Sequence, residues 1–226
     1  MKKFLSPILA ATMLAGIALS GCNTMDKYFS EDYVLGALDA SYKGDFDKYL
    51  DTTDGKKEDA QELYDNTVDY YTEVIAQYCD VYTDDISDEV HDKYTEFTKE
   101  LLSKADYTIA SSENGKETCY VKIVIKPINI LEQSEDDIAA YIEEFNTSIE
   151  EIGEEIDNYT DEQFQDLEDD YAENILNVLK EKSNNLEYKD TITFTMEIKI
   201  DKDGLYSPAN EDDWNTIDDY VMGIYE

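Results

Sequence analysis

Cys22 is the residue whose position most directly dictates chemistry. It stands directly after Leu19-Ser20-Gly21, at the end of an apolar run from Phe4 to Ala18 that follows Met1-Lys2-Lys3. A cysteine thiol becomes a nucleophile on ionisation, and here it stands where an export signal would end. The other chemistry-bearing groups are carboxylates. Asp201-x-Asp203-Gly204 sets two alternating acids before a glycine, a start that can converge on a hard cation such as calcium. The EF-hand pattern needs a third ligand before its Gly and a Glu six residues after it; both are missing, and a strand-to-loop turn explains the same residues. The clusters Asp84-Asp85, Asp88-Glu89, Glu135-Asp136-Asp137, Glu168-Asp169-Asp170 and Glu211-Asp212-Asp213 could meet divalent ions or a cationic partner. Most fall at predicted helix N-termini, where the helix dipole favours anions without any ligand.

Conventional catalytic constellations are missing. His91 is the single histidine and cannot build a histidine-rich zinc site. No Gly-x-Ser-x-Gly elbow, phosphate loop or His-Glu-x-x-His occurs, and nothing selects a glycosidase pair among 55 acids. The spacing therefore names no catalytic residue, no metal ligand beyond Asp201 and Asp203, and no cofactor.

Leu19-Ser20-Gly21-Cys22 resembles a bacterial lipobox. The basic start, short apolar stretch and small residues describe a signal segment. Interrupted by Ser6, Pro7, Thr12 and Gly16, the run falls short of the roughly 20 apolar residues a membrane span requires. The resemblance implies cleavage before Cys22, a diacylglyceryl group on its sulfur, and further acylation of the palmitate kind. Two chains anchor stably where one does not. The expected organisation is residues 1–21 as lipoprotein signal peptide, 22–29 as lipidated N-terminus and short tether, and 30–226 as one domain at the outer face of a bacterial cytoplasmic membrane.

Loss of Lys2 and Lys3 with the signal takes the net charge from -37 to -39. Nucleic acid is excluded as a partner, because phosphate neutralisation needs clustered Lys and Arg and this chain has no Arg. Anionic lipid is disfavoured for the same reason, which leaves the anchor to hold the protein to its membrane. With 19 Tyr, 7 Phe and 42% hydrophobic residues, the chain still has the apolar surface for a core. Cys79 and Cys119 remain in the mature chain; an oxidising location permits a disulfide between them, but two cysteines specify no framework and two buried, unpaired thiols are the plainer reading.

Apolar periodicity predicts the elements that position these groups. Ser30 reads as the cap of a helix ending at Gly44. A helix over Lys57–Tyr82 carries Tyr64, Tyr71, Tyr78 and Tyr82 in a stripe that reads as core or, alternatively, as a groove for carbohydrate or peptide. A third helix spans Ser87–Lys104. Tyr107–Ala110 and Cys119–Ile125 form a hairpin around Asn114-Gly115. Ile138 to Ile156 and Phe164 to Leu179 form an antiparallel helical pair, with a capping box at Thr160-Asp161-Glu162-Gln163. Ile192–Ile200 alternates strictly, and Trp214, Ile217, Tyr220 and Val221 mark a closing helix. The expected class is α+β, about three antiparallel strands covered by five or six helices.

Ala37-Leu38-Asp39-Ala40-Ser41-Tyr42-Lys43-Gly44-Asp45-Phe46, Val124-Ile125-Lys126-Pro127-Ile128 and Asp203-Gly204-Leu205-Tyr206 together resemble a family of Gram-positive lipoproteins carrying a domain of unknown function. Its layout is similar to nuclear-transport-factor-2-like or cystatin-like domains. Members often carry Trp after the Asp-Gly turn, where this chain has Leu205-Tyr206. The resemblance implies a lipid-anchored extracytoplasmic domain and transfers no catalytic residue. The expected role is a non-enzymatic module binding a cationic protein or cell-envelope ligand. A solute-binding transporter component and an enzyme using a cavity of the α+β domain are the alternatives.

Overall fold

A computed structural model describes residues 27–53, 55–114, 118–200 and 206–225. The chain is α+β: α1 (Lys27–Lys43), α2 (Asp47–Thr52), α3 (Lys57–Tyr78), α4 (Asp88–Leu102), β1 (Asp106–Asn114), β2 (Thr118–Lys126), α5 (Ile130–Ile152) with a 3-10 turn (Gly153–Asn158), α6 (Asp161–Ser183), β3 (Ile192–Ile200), β4 (Tyr206–Pro208) and α7 (Asp212–Met222). It divides into two compact units.

The first unit gathers the described residues up to Val68 with Leu102–Ile128 and those from Lys189 on. Its antiparallel sheet runs β1-β2-β3-β4, four strands where three were expected. Cys119, Val121, Ile123 and Ile125 alternate inward along β2, opposite Ile198, Met196, Phe194 and Ile192 of β3. A bulge at Ala110 shifts β1 by one residue, so that Ser112 rather than Ser111 opposes Val121. One extra residue reverses the inward phase of everything beyond it. Helices α1 and α7 cover the inner face with fully buried Tyr33, Leu38, Tyr42, Trp214 and Ile217. The other face, with Thr193, Thr195, Lys122 and Lys199, is open to solvent.

One expectation at α1 is corrected. The helix begins at Lys27, and Ser30 lies fully buried inside it rather than capping it. The thiol of Cys119 bonds to Ser30 and Ser112, so the serine is spent on tertiary contact. Gly44, at φ +63, ends the helix as expected. At Gly36 a β-carbon would meet the Tyr49 nitrogen at 2.8 Å, and this glycine lets α1 and α2 pack backbone to backbone.

The second unit comprises Asp69–Leu101 and Asn129–Tyr188. Here α3 stops at Tyr78 instead of running to Tyr82. Asp80 adopts φ +56, Val81 N donates to Ala76 O at 2.9 Å, and Asp80 N donates to Gln77 O at 3.2 Å. That is a Schellman closure with Asp in the left-handed position usually held by Gly. The hairpin of α5 and α6 is the unit's longest feature. Thr160 caps α6 in a complete capping box, accepting from Gln163 N while the Gln163 side chain accepts from Thr160 N.

Candidate interaction surface

Two arrangements of charged and aromatic side chains stand out, one in each unit. In the first, α1, β1 and α7 bring five residues together. Tyr42 donates its hydroxyl to the carboxylate of Asp218, which is 2% exposed. Tyr107 donates to Asp39 at 2.9 Å, Lys43 pairs with Asp39 at 3.3 Å, and the Lys43 ammonium lies 4.1 Å above the Tyr107 ring. Burial, then the charge of Asp39, pushes the Tyr107 hydroxyl well above the ordinary phenol range. Tyr107 is therefore held as a donor and cannot act as a base near neutrality. The network pins helix to sheet and helix to helix through charge-assisted bonds, buried at Tyr42 and Asp218 and partly open to solvent at Asp39 and Lys43.

The second arrangement is open. At the base of the α5–α6 hairpin the facing residues are buried: Ile138 on α5, with Tyr171, Ile175 and Leu179 on α6. Further out, no residue from Ala139 to Asp170 is buried. Ile142, Phe145, Ile149, Ile152 and Ile156 continue the α5 stripe half-exposed, Leu167 does the same on α6, and Phe164 is 42% exposed. Two helices alone cover each apolar side chain on only one flank, because a seam between them has no third wall. Phe145 and Tyr141 stack on Tyr171 at 4.7 and 5.8 Å between ring centroids, and Tyr159 meets Phe164 at 5.6 Å.

Charge separates the units as clearly as burial. The second unit carries 30 acids and 4 Lys in 93 residues, while the rest of the chain carries 25 acids and 14 Lys. No Lys occurs between Lys126 and Lys180, a stretch with 18 acids. Near the hairpin base acids have cationic partners: Lys182 pairs with Asp137, and Lys93 reaches Glu173 at 2.6 Å and Glu89 at 2.9 Å. Burial pushes the Glu168 carboxyl above its ordinary range, with Asp85 adding to the effect. Asp169 is held below its ordinary value, since bonds from Ser87 and Gln165 outweigh its partial burial. Its carboxylate accepts from Ser87 N at 2.7 Å and so ties α6 to the start of α4.

The placement of the acid clusters departs in part from expectation. Asp88, Glu89, Asp212 and Asp213 do occupy first helical turns. Glu135-Asp136-Asp137 and Glu168-Asp169-Asp170 lie inside α5 and α6 instead, where the dipole does not account for them. Among the described residues no group of three or more His, Cys, Asp or Glu is arranged to hold a metal ion.

Leu19, Ser20, Gly21, Cys22, Asp201 and Asp203 lie outside the described residues. Cys79 and Cys119 are both buried and unbridged. Burial, then Asp80, pushes the Cys79 thiol up to about 12, which makes it unreactive. The tyrosine stripe does not form one buried row: Tyr71 is fully buried and Tyr64 half-buried, while Tyr78 and Tyr82 are 48% and 59% exposed. Tyr82 lines a shallow hollow of about 110 Å³ with Glu73, Gln77, Val81, Thr83 and Asp84. Small-molecule sites run roughly 300–1,000 Å³, so the hollow is undersized for a sugar or peptide.

Fold and surface define an α+β protein with a sheet-based unit and an acidic helical hairpin. No protein-family model and no curated protein matches the chain. Its fold is similar to the crystal structure of "a putative lipoprotein (ycdA)" from Bacillus subtilis, with a TM-score of 0.51 and 14% identity. The match covers 85% of this chain and 56% of that one, so this chain spans little more than half its neighbour's length. At that identity the likeness concerns the fold. Among the described residues no helix is long and apolar enough to cross a membrane.

Proposed function

We propose that this chain is a lipid-anchored extracytoplasmic binding module of a Gram-positive type, held to the membrane through Cys22 and offering its acidic hairpin to a partner. The observation that carries the reading is the open seam of α5 and α6, where Ile149, Ile152, Ile156 and Phe164 stay partly exposed among carboxylates. A contiguous run of uncovered apolar side chains rimmed by polar residues is the kind of surface that partners use. Leu19-Ser20-Gly21-Cys22 supports the anchor, and the fold likeness to a chain described as a lipoprotein supports the address. Binding without catalysis is favoured because Asp218, a buried carboxylate of the first unit, is closed off from solvent together with its donor Tyr42.

Metabolic labelling with an alkyne-bearing fatty acid tests the anchor in a bacterium that processes lipoproteins. The wild-type chain is expected to carry label and sediment with membranes, and Cys22→Ala to lose both. An unlabelled wild-type chain in the soluble fraction would contradict the anchor while leaving the hairpin reading standing.

A further inference from the structure

We infer that the open seam of the α5–α6 hairpin is a docking groove for a freely diffusing, Lys- or Arg-rich amphipathic peptide that binds as a helix. This rests on the binding-module reading and names its ligand. The groove runs from Tyr141 to Ile152 along α5, about 17 Å of helical rise, or about three turns of a bound helix. Its floor is Ile142, Phe145, Ile149 and Ile152 on α5, with Phe164 and Leu167 on α6, none of them buried. A third helix laid on this seam supplies the missing flank and removes that surface from water, the helix-in-groove mode of recognition.

The rim selects the sign of the ligand. From Ala139 to Asp170 there are 13 acids and no Lys, so a docking helix meets carboxylates on both sides of its apolar stripe. Lys or Arg flanking that stripe pairs with them; a neutral helix would leave the repulsion between them in place, and an acidic one would add to it. The same charge opposes self-association, because a second copy presents the same 13 acids. A field of this density raises encounter rates for freely diffusing cations, an advantage that a partner already tethered at the site does not need.

The test is fluorescence anisotropy with the Cys22→Ala chain, which keeps every described residue, and three labelled 18-residue probes. One is a Lys/Leu peptide with an apolar helical stripe. The second has the same composition scrambled so that no stripe forms, and the third keeps the stripe with Gln for Lys. The amphipathic cationic probe is expected to bind at least 10-fold tighter than either control, and to weaken at least 10-fold between 50 and 500 mM salt. Ile149→Ser and Phe164→Ser, at unburied positions, are expected each to lower affinity at least 5-fold with an unchanged circular dichroism spectrum. Equal binding of the scrambled probe, or insensitivity to both substitutions, overturns the groove. So does a dimer in sedimentation equilibrium that Phe164→Ser dissolves, since the seam would then belong to a second copy. The fatty-acid labelling of Cys22 is untouched by any of these outcomes.

Discussion

Two pairs of structures in this molecule use the same residue types to opposite ends. Where α1 and α7 cover the sheet, Tyr42 and Asp218 sit inside the core and hold each other. Along the outer half of α5 and α6, aromatic and acidic side chains sit side by side and the aromatics are left uncovered. The difference is the number of walls. A sheet with helices across it encloses its side chains, whereas two helices alone enclose theirs only at the base. One arrangement therefore builds a rigid scaffold and the other leaves apolar surface available.

The largest expected effect probes that contrast directly. Trp214 is fully buried between α7 and its surroundings, and Trp214→Ala should cost about 3–5 kcal/mol in urea-induced unfolding. Ile149→Ala, at a half-exposed position, should cost about 1 kcal/mol or less. Equal costs would show that the hairpin is covered in solution and break the comparison.

A second effect concerns pH. Burial raises Glu168, Asp213 and Asp219 above their ordinary values, while Asp169 is lowered. A raised carboxyl binds its proton more tightly in the folded state, so stability grows as pH falls through its folded pKa. Relief of repulsion in so acidic a chain acts in the same direction. Asp169 contributes the reverse, a stability lost as pH falls through its depressed pKa. The melting temperature should therefore rise by several degrees on acidification from pH 7 toward 5, then decline below about pH 4. A monotonic fall from pH 7 downward would contradict the sign given to the raised carboxyls and to the relief of repulsion.

Much of this layout is legible in the chain. The strict alternation from Ile192 to Ile200 gives β3 to the residue, and Thr160 with Gln163 gives the start of α6, because both are local rules that nothing overrides here. Other features depend on tertiary context. Tyr206–Pro208 forms β4 with only three residues, one a proline, and exists because Ile198–Ile200 offers it an edge. Helix α5 begins at Ile130, well before the periodic stripe that opens at Ile138. The six residues of α2 are too short to show a period. The candidate surface was half legible: periodicity revealed both stripes of the hairpin, but period reports phase and not depth. Nothing local distinguishes buried Ile138 from half-exposed Ile149.

The smallest effect sharpens the end of α3. Asp80 pays for a left-handed conformation that glycine adopts freely, so Asp80→Gly should stabilise the protein by up to about 1 kcal/mol in the same urea titration. A destabilisation of that size would mean the aspartate side chain contributes more than its backbone strain costs.

Hydrogen exchange with and without the amphipathic cationic probe tests the central claim most directly, because it reports both units at once. Slower exchange confined to residues 141–167, with β1, β2 and β3 unchanged, is the predicted result. Protection appearing on the sheet instead, or nowhere, would contradict the assignment of the binding surface to the hairpin.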